Sequence, residues 1–291
     1  MTKKTVTLNN HETYYYLETN KDKPQTILLV HGNMSSGVHY QPLIERIKDY
    51  HVLAPDLRGF GDSTYLNPIA SLEDFADDLH AFLDAVDVDK VVFVGWSTGG
   101  GIGLKFAAKY PERISQLVLL ESASYRGYPI YEKDDTMQPK LDQLYQSKDA
   151  MAQDPVQVAP AQNAMENNNK DFMKAVWEAA IYNVKIPEDE DLYLEESLKQ
   201  RNLIDVDWAL MTFNMSHTSN GVSDGDGSID DVTCNVLSIY GKKDLVILQY
   251  MFDETVKALH HVQTKILENG SHSPITDDPD YIHKLLIDFI A

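Results

Sequence analysis

The chain has 291 residues, and 45 acidic against 25 basic side chains give a formal net charge of −20. That length supplies one large core or two modest ones, and so acidic a surface disfavours docking on nucleic-acid phosphates or anionic membranes. A single cysteine, Cys234, excludes an intrachain disulfide and fits a reducing compartment. No apolar stretch follows the basic residues near Met1, and no run of about 18 apolar residues appears, so neither a secretory signal nor a membrane span is expected. The expected location is the cytoplasm.

Thr5 to Leu8 and Tyr14 to Leu17 read as two short strands forming a hairpin about Asn9-Asn10-His11. Thr26 to Val30 is a short unbroken apolar run, as suits a strand covered on both faces, and His51 to Ala54 is another. Ser71 caps a helix whose apolar residues Leu72, Phe75, Ala76, Leu79, Phe82, Leu83 and Val86 share one face. Val91 to Val94 is the next strand. A helix from about Thr98 to Lys109 follows, stopped by Tyr110-Pro111, and then a strand from Leu117 to Leu120.

The rhythm breaks over residues 122–231, a stretch rich in Tyr, Met, Gln, Asn and acidic residues that reads as amphipathic helices without buried strands. It resumes with a strand at Val236 to Tyr240, a helix after Val246, a strand at Lys265 to Leu267 and a last helix from about Asp280. The pattern predicts an α/β fold, with a mostly parallel central sheet of about eight strands flanked by helices. Residues 1–121 and 232–291 form that core. Residues 122–231 are expected to form an all-helical cap over the sheet edge where such folds place ligands.

The decisive segment is Gly95-Trp96-Ser97-Thr98-Gly99, directly after a strand and directly before a helix. A serine there sits on a sharp turn with its hydroxyl exposed above the sheet, and flanking glycines leave the turn room. The helix behind it points backbone N–H groups at an anion forming beside the serine. A serine nucleophile needs a base, and the base needs an acid to orient it. Asp244, in Tyr240-Gly241-Lys242-Lys243-Asp244, and His272, in Asn269-Gly270-Ser271-His272, each follow a predicted strand, on the sheet edge that carries Ser97. The bland alternatives are a helix cap for Asp244 and a surface position for His272. Glu121, after the Leu117 to Leu120 strand, is a second candidate acid, to replace or assist Asp244.

With Val30-His31-Gly32-Asn33 after the first buried strand, the chain resembles the α/β-hydrolase superfamily over nearly its whole length. The Asp56-Leu57-Arg58-Gly59-Phe60-Gly61-Asp62-Ser63 loop, the Gly95 to Gly99 turn, Tyr110-Pro111-Glu112-Arg113 and Gly241 to Asp244 carry the likeness. The resemblance implies Ser97, Asp244 and His272 as the catalytic triad. It also implies the backbone N–H groups of Asn33 and Thr98 as the oxyanion hole, and residues 122–231 as a lid. Trp96 stands where many esterases carry histidine, and reads as a packing residue of the pocket wall or a substrate contact. His31-Gly32-Asn33 also looks like the haloalkane dehalogenases, but those need an aspartate where Ser97 stands.

The expected function is hydrolysis of a short- to medium-chain carboxylic ester through an acyl-enzyme, with a small-molecule ester as partner and neither cofactor nor metal. The fold also hosts intracellular polyhydroxybutyrate depolymerases, carbon–carbon bond hydrolases, amidases, cofactor-free oxygenases and non-catalytic small-molecule receptors. Turnover that depends on Ser97 separates a serine hydrolase from the last two. Asp224-Gly225-Asp226-Gly227-Ser228-Ile229 echoes part of a calcium loop, but Val222 and Thr233 fall where two anchoring ligands belong, so an acidic loop is expected there. Cys234 reads as a buried structural thiol and Tyr14-Tyr15-Tyr16 as strand packing. Nothing in the sequence specifies an oligomeric state.

Overall fold

The computed structural model describes residues 3–291. Strands β1 (Lys4–Thr7) and β2 (Thr13–Thr19) form the N-terminal hairpin, with Val6 opposite Tyr14. Alternation along β2 sends Tyr14 and Tyr16 into the core against Phe82 and leaves Tyr15 half-buried, so the tyrosine run packs the strand. Then come β3 (Thr26–Val30), helix α1 (Gln41–Ile44), β4 (His51–Pro55), α2 (Leu72–Ala85), β5 (Val91–Trp96), α3 (Thr98–Lys109) and β6 (Ile114–Leu120). Every residue of β3, β4 and β5 is buried, as unbroken apolar runs between two helical layers must be. The Asp74 carboxylate accepts the Ser71 N–H at 2.9 Å, which fixes the start of α2.

Between β6 and the next sheet strand lie β7 (Tyr131–Lys133), β8 (Pro139–Leu144), α4 (Lys148–Met151), α5 (Val158–Glu166), α6 (Lys170–Ala180), α7 (Glu190–Ser197) and α8 (Leu203–Thr212). The expectation of an all-helical segment is thereby corrected, because β7 and β8 form an antiparallel hairpin. None of its residues is buried, so it carries no apolar alternation to mark it. The chain closes with β9 (Asn235–Gly241), α9 (Gln249–Ala258), β10 (Val262–Leu267), α10 (Pro274–Asp277) and α11 (Pro279–Ile290).

Eight strands make one sheet in the order β1-β2-β4-β3-β5-β6-β9-β10, antiparallel where β2 meets β1 and β4 and parallel elsewhere. Two strands start earlier than their apolar runs suggest. β6 begins at Ile114 because Ser115 is bulged out of its ladder with β5, and β10 begins at Val262 because an edge strand accepts polar residues. Phe93 joins the core layer that includes Phe75 and Phe106; its neighbours Val92 and Val94 join the opposite layer. That second layer continues into α6 and α7 through Met173, Trp177 and Tyr193. Cys234 is half-buried against the first layer, and burial pushes its thiol up to about 11.

The chain runs from β3 to β4 on one side and returns to β5 on the other. The sheet therefore has a switch point at the carboxyl ends of β3 and β5, where α/β sheets open a crevice. Among the described residues, no helix is long and apolar enough to cross a membrane.

Candidate active site

Ser97 occupies the step from β5 to α3 with φ 55° and ψ −119°, a backbone conformation that L-residues rarely hold. Two glycines make that turn possible. A Cβ on Gly95 would lie 2.3 Å from the Gly99 carbonyl oxygen, and one on Gly99 would lie 2.2 Å from that of Val30. The Ser97 N–H is anchored on the Leu120 carbonyl at 2.9 Å, so β6 holds the turn from the side.

The loop after β10 delivers His272. Its Nδ1 donates to Asp244 Oδ2 at 2.8 Å, which makes Nε2 the nitrogen free to accept a proton. Asp244, in the loop after β9, uses its other oxygen to accept the N–H groups of Val246 at 2.7 Å and Ile247 at 3.0 Å. The capping alternative for Asp244 therefore holds alongside its hydrogen bond to His272, although the capped turn precedes α9. Burial alone would raise the Asp244 pKa, but the His272 charge and hydrogen bond, with the Val246 amide, hold it below the usual aspartate value. Trp96 lies buried at the end of β5 and donates its indole N–H to the His272 carbonyl at 2.6 Å. The residue before the serine thus braces the histidine.

Glu121 follows β6 with φ 43°, and among the described residues no N–H or O–H group donates to either of its buried carboxyl oxygens. Burial, with the negative charge and hydrogen bonding of Asp244 beside it, pushes its pKa well above the usual glutamate range. It makes no hydrogen bond to His272; Asp244 does.

The loop after β3 brings Asn33 to the same place. His31 holds that loop: its Nδ1 donates to the Gly32 carbonyl at 2.8 Å and its Nε2 accepts the Leu57 N–H at 3.0 Å. Burial drives its pKa down to about 4, so it stays neutral in this role. The backbone N–H groups of Asn33 and Thr98 donate to no protein group among the described residues. Thr98 is the first residue of α3, where helical N–H groups lack intrahelical partners.

Ser97, Thr98, Asn33, Trp96 and His272 line one cavity of about 300 Å³. Its opposite wall is Val156, Ala161, Phe172, Val176, Trp177 and Leu210, from α5, α6, α8 and the loop before α5. Among the described residues, no hydrogen bond joins the Ser97 hydroxyl to His272. Sequence reasoning missed Asp207, the one acidic side chain lining the cavity among the described residues. Its signal was faint: an acid at helical spacing between Leu203 and Leu210 on an otherwise apolar stripe.

Among the described residues, Asp56, Asp62 and Glu196 approach closely enough to share a cation, and the Lys3 ammonium sits 2.8 Å from each. Asp226, in the acidic loop, accepts hydrogen bonds from Lys105 and Ser228.

The chain is 35% identical to the cis-3-alkyl-4-alkyloxetan-2-one decarboxylase of Shewanella oneidensis over 124 residues, 40% of this chain and 37% of that protein. It is 24% identical to the bovine (Bos taurus) monoacylglycerol lipase ABHD6, covering 97% of this chain and 80% of that protein. Its match to the first of these therefore spans well under half of that relative's length. The solved esterase EaEST of Exiguobacterium antarcticum superposes with a TM-score of 0.74 at 16% identity, covering 98% of both chains, a likeness of fold. The family model described as alpha/beta hydrolase fold matches residues 25–279, and this chain belongs to that family.

Proposed function

We propose that this chain is a serine hydrolase that cleaves short- to medium-chain carboxylic esters. His272 Nε2 takes the proton from Ser97 as its hydroxyl oxygen attacks the ester carbonyl. Asp244 holds the imidazole in the Nδ1–H tautomer and stabilises the imidazolium that forms. The amides of Asn33 and Thr98 receive the oxyanion. Collapse of the tetrahedral intermediate expels the alcohol, which takes the proton from His272. Water, deprotonated by His272, attacks the acyl-enzyme; the acid is released as the Ser97 oxygen leaves and takes back the proton from His272.

The observation that carries this reading is the 2.8 Å His272–Asp244 bond, beside a cavity that also holds a serine on a left-handed turn. A largely apolar cavity of about 300 Å³ suits a chain of a few carbons, and residues 122–231 act as the lid that shapes it. Trp96 offers the cavity a ring face while its N–H stays on His272.

The test is hydrolysis of p-nitrophenyl esters from acetate to laurate by the wild type and Ser97→Ala. Loss of the serine is expected to lower kcat by about 10⁴-fold or more, with the chain-length optimum at the short to middle acids. Equal rates in the two proteins would overturn the mechanism.

A further inference from the structure

Leu203, Asp207 and Leu210 lie on one face of α8, and all three line the cavity. Asp207 Oδ1 accepts a hydrogen bond from Asn33 Nδ2 at 2.8 Å. That amide cannot turn over, because its oxygen is already engaged by Gln200 Nε2 at 2.8 Å and the Met34 N–H at 3.1 Å. The carboxyl is thus held in place by the side chain of the residue whose backbone N–H is assigned to the oxyanion. Its second oxygen has no protein partner among the described residues.

We infer that Asp207 is a specificity-determining residue that selects esters carrying a hydroxyl near the scissile bond, on the acyl or the alcohol side. The inference rests on the serine-hydrolase reading of this cavity. A purely apolar chain packed there would strip water from a carboxyl and give it nothing in return, which is unfavourable. An ammonium group would require two charges to lose their water inside apolar walls. A hydroxyl suits the position best, because it can donate to a carboxylate or accept from a carboxylic acid. Burial pushes the Asp207 pKa up to about 7, so both forms are populated near neutrality. Tyr128 and Gln157 are the other polar side chains of this lining beyond the catalytic candidates and Asn33, and Phe172, Val176, Leu203 and Leu210 are among its apolar ones.

The experiment compares ethyl butanoate, ethyl β-hydroxybutanoate, ethyl β-aminobutanoate and glycol monobutanoate by acid release, in the wild type, Asp207→Leu and Asp207→Asn. The wild type should favour at least one hydroxylated ester over ethyl butanoate by about 10- to 100-fold in kcat/KM, chiefly through KM. Asp207→Leu should reverse that order, with KM for ethyl butanoate falling. Asp207→Asn should keep a reduced preference, and it decides the matter if the leucine variant does not fold. Ser97-dependent hydrolysis with no hydroxyl preference, or a preference kept in Asp207→Leu, overturns the assignment while the hydrolase reading stands. Preference for the amino ester overturns it as well, by making the site one for cations. No hydrolysis of any of the esters removes the hydrolase reading and this inference with it.

Discussion

The sheet and the segment between β6 and β9 build opposite walls of one cavity by different means. On the sheet side, backbone geometry sets the positions: Ser97 on its left-handed turn, His272 and Asp244 in loops after β10 and β9, all at the ends of parallel strands. On the other side, side chains on short helices set the wall, and long-range polar contacts hold those helices down. Lys3 ties Glu196 of α7 to Asp56 and Asp62, and Asn33 ties Asp207 of α8 to the loop after β3. Strand ends cannot shift without breaking a ladder, whereas a helix face can change its lining one residue at a time. If the proposed hydrolase reading holds, chemistry belongs to the sheet side and selectivity to the inserted side. Substitutions on the first should move kcat, and those on the second should move KM and substrate rank.

The sharpest way to break this division is at the acid. Asp244→Asn leaves the His272 contact isosteric but favours the wrong tautomer, and kcat should fall by about 10³- to 10⁴-fold with the rank order of esters unchanged. Glu121→Gln keeps the size of a side chain that makes no hydrogen bond to His272, so its effect should stay within about tenfold, the scale of one hydrogen bond. Stopped-assay kinetics on a single p-nitrophenyl ester decide between them. A loss in Glu121→Gln as large as that in Asp244→Asn would mean that Glu121 shares the orienting role with Asp244.

A smaller effect is expected at Trp96, which belongs to the sheet yet faces the inserted wall. Trp96→Phe keeps a ring against Trp177 and His39 but removes the N–H that reaches the His272 carbonyl. One hydrogen bond is worth about 1 kcal/mol, so kcat should drop by about fivefold. If KM rises instead, with kcat untouched, Trp96 is a substrate contact and its bond to the histidine backbone is incidental.

The same division explains what could be read in the residue order. Strands β3, β4 and β5 announce themselves because burial on both faces requires unbroken apolar runs, and the Ser71 cap with its following apolar face marks α2. Gly95 and Gly99 frame Ser97 because main-chain atoms press on both, a constraint that is local and therefore legible. The inserted side obeys no such local rule. The β7–β8 hairpin buries none of its residues and shows no alternation. Asp207 acquires its meaning from a residue 174 positions away, and the Trp96 N–H from one 176 positions away. Such pairs depend on tertiary packing that no window of sequence contains. The position of Asp244 was legible, and its place in a loop matching that of His272 favoured it over Glu121, but only geometry shows which carboxylate meets His272.

The smallest effect lies on the seam itself. His39 is buried among Trp96 of the sheet and Trp177 and Tyr193 of the inserted helices, stacked on Tyr193 with ring centroids 4.9 Å apart. Its Nδ1 accepts the Ser36 N–H at 3.1 Å, while its Nε2 has no partner among the described residues. Burial lowers its pKa from 6.5 to about 3, so the unfolded chain takes up a proton before the folded one does. Stability tied to this ring is therefore complete above pH 6.5 and drains away as pH falls toward about 3. His39→Phe keeps the stacking, frees the Ser36 N–H and removes an unpartnered nitrogen, two opposed changes of about 1 kcal/mol each that nearly cancel at pH 7. Urea melts of both proteins from pH 7.5 to pH 4.5 should show the variant gaining on the wild type as the acid side is approached. A difference that stays constant with pH would mean that the histidine is protonated within the fold and that the seam admits water, in which case the two walls do not form a single dry core.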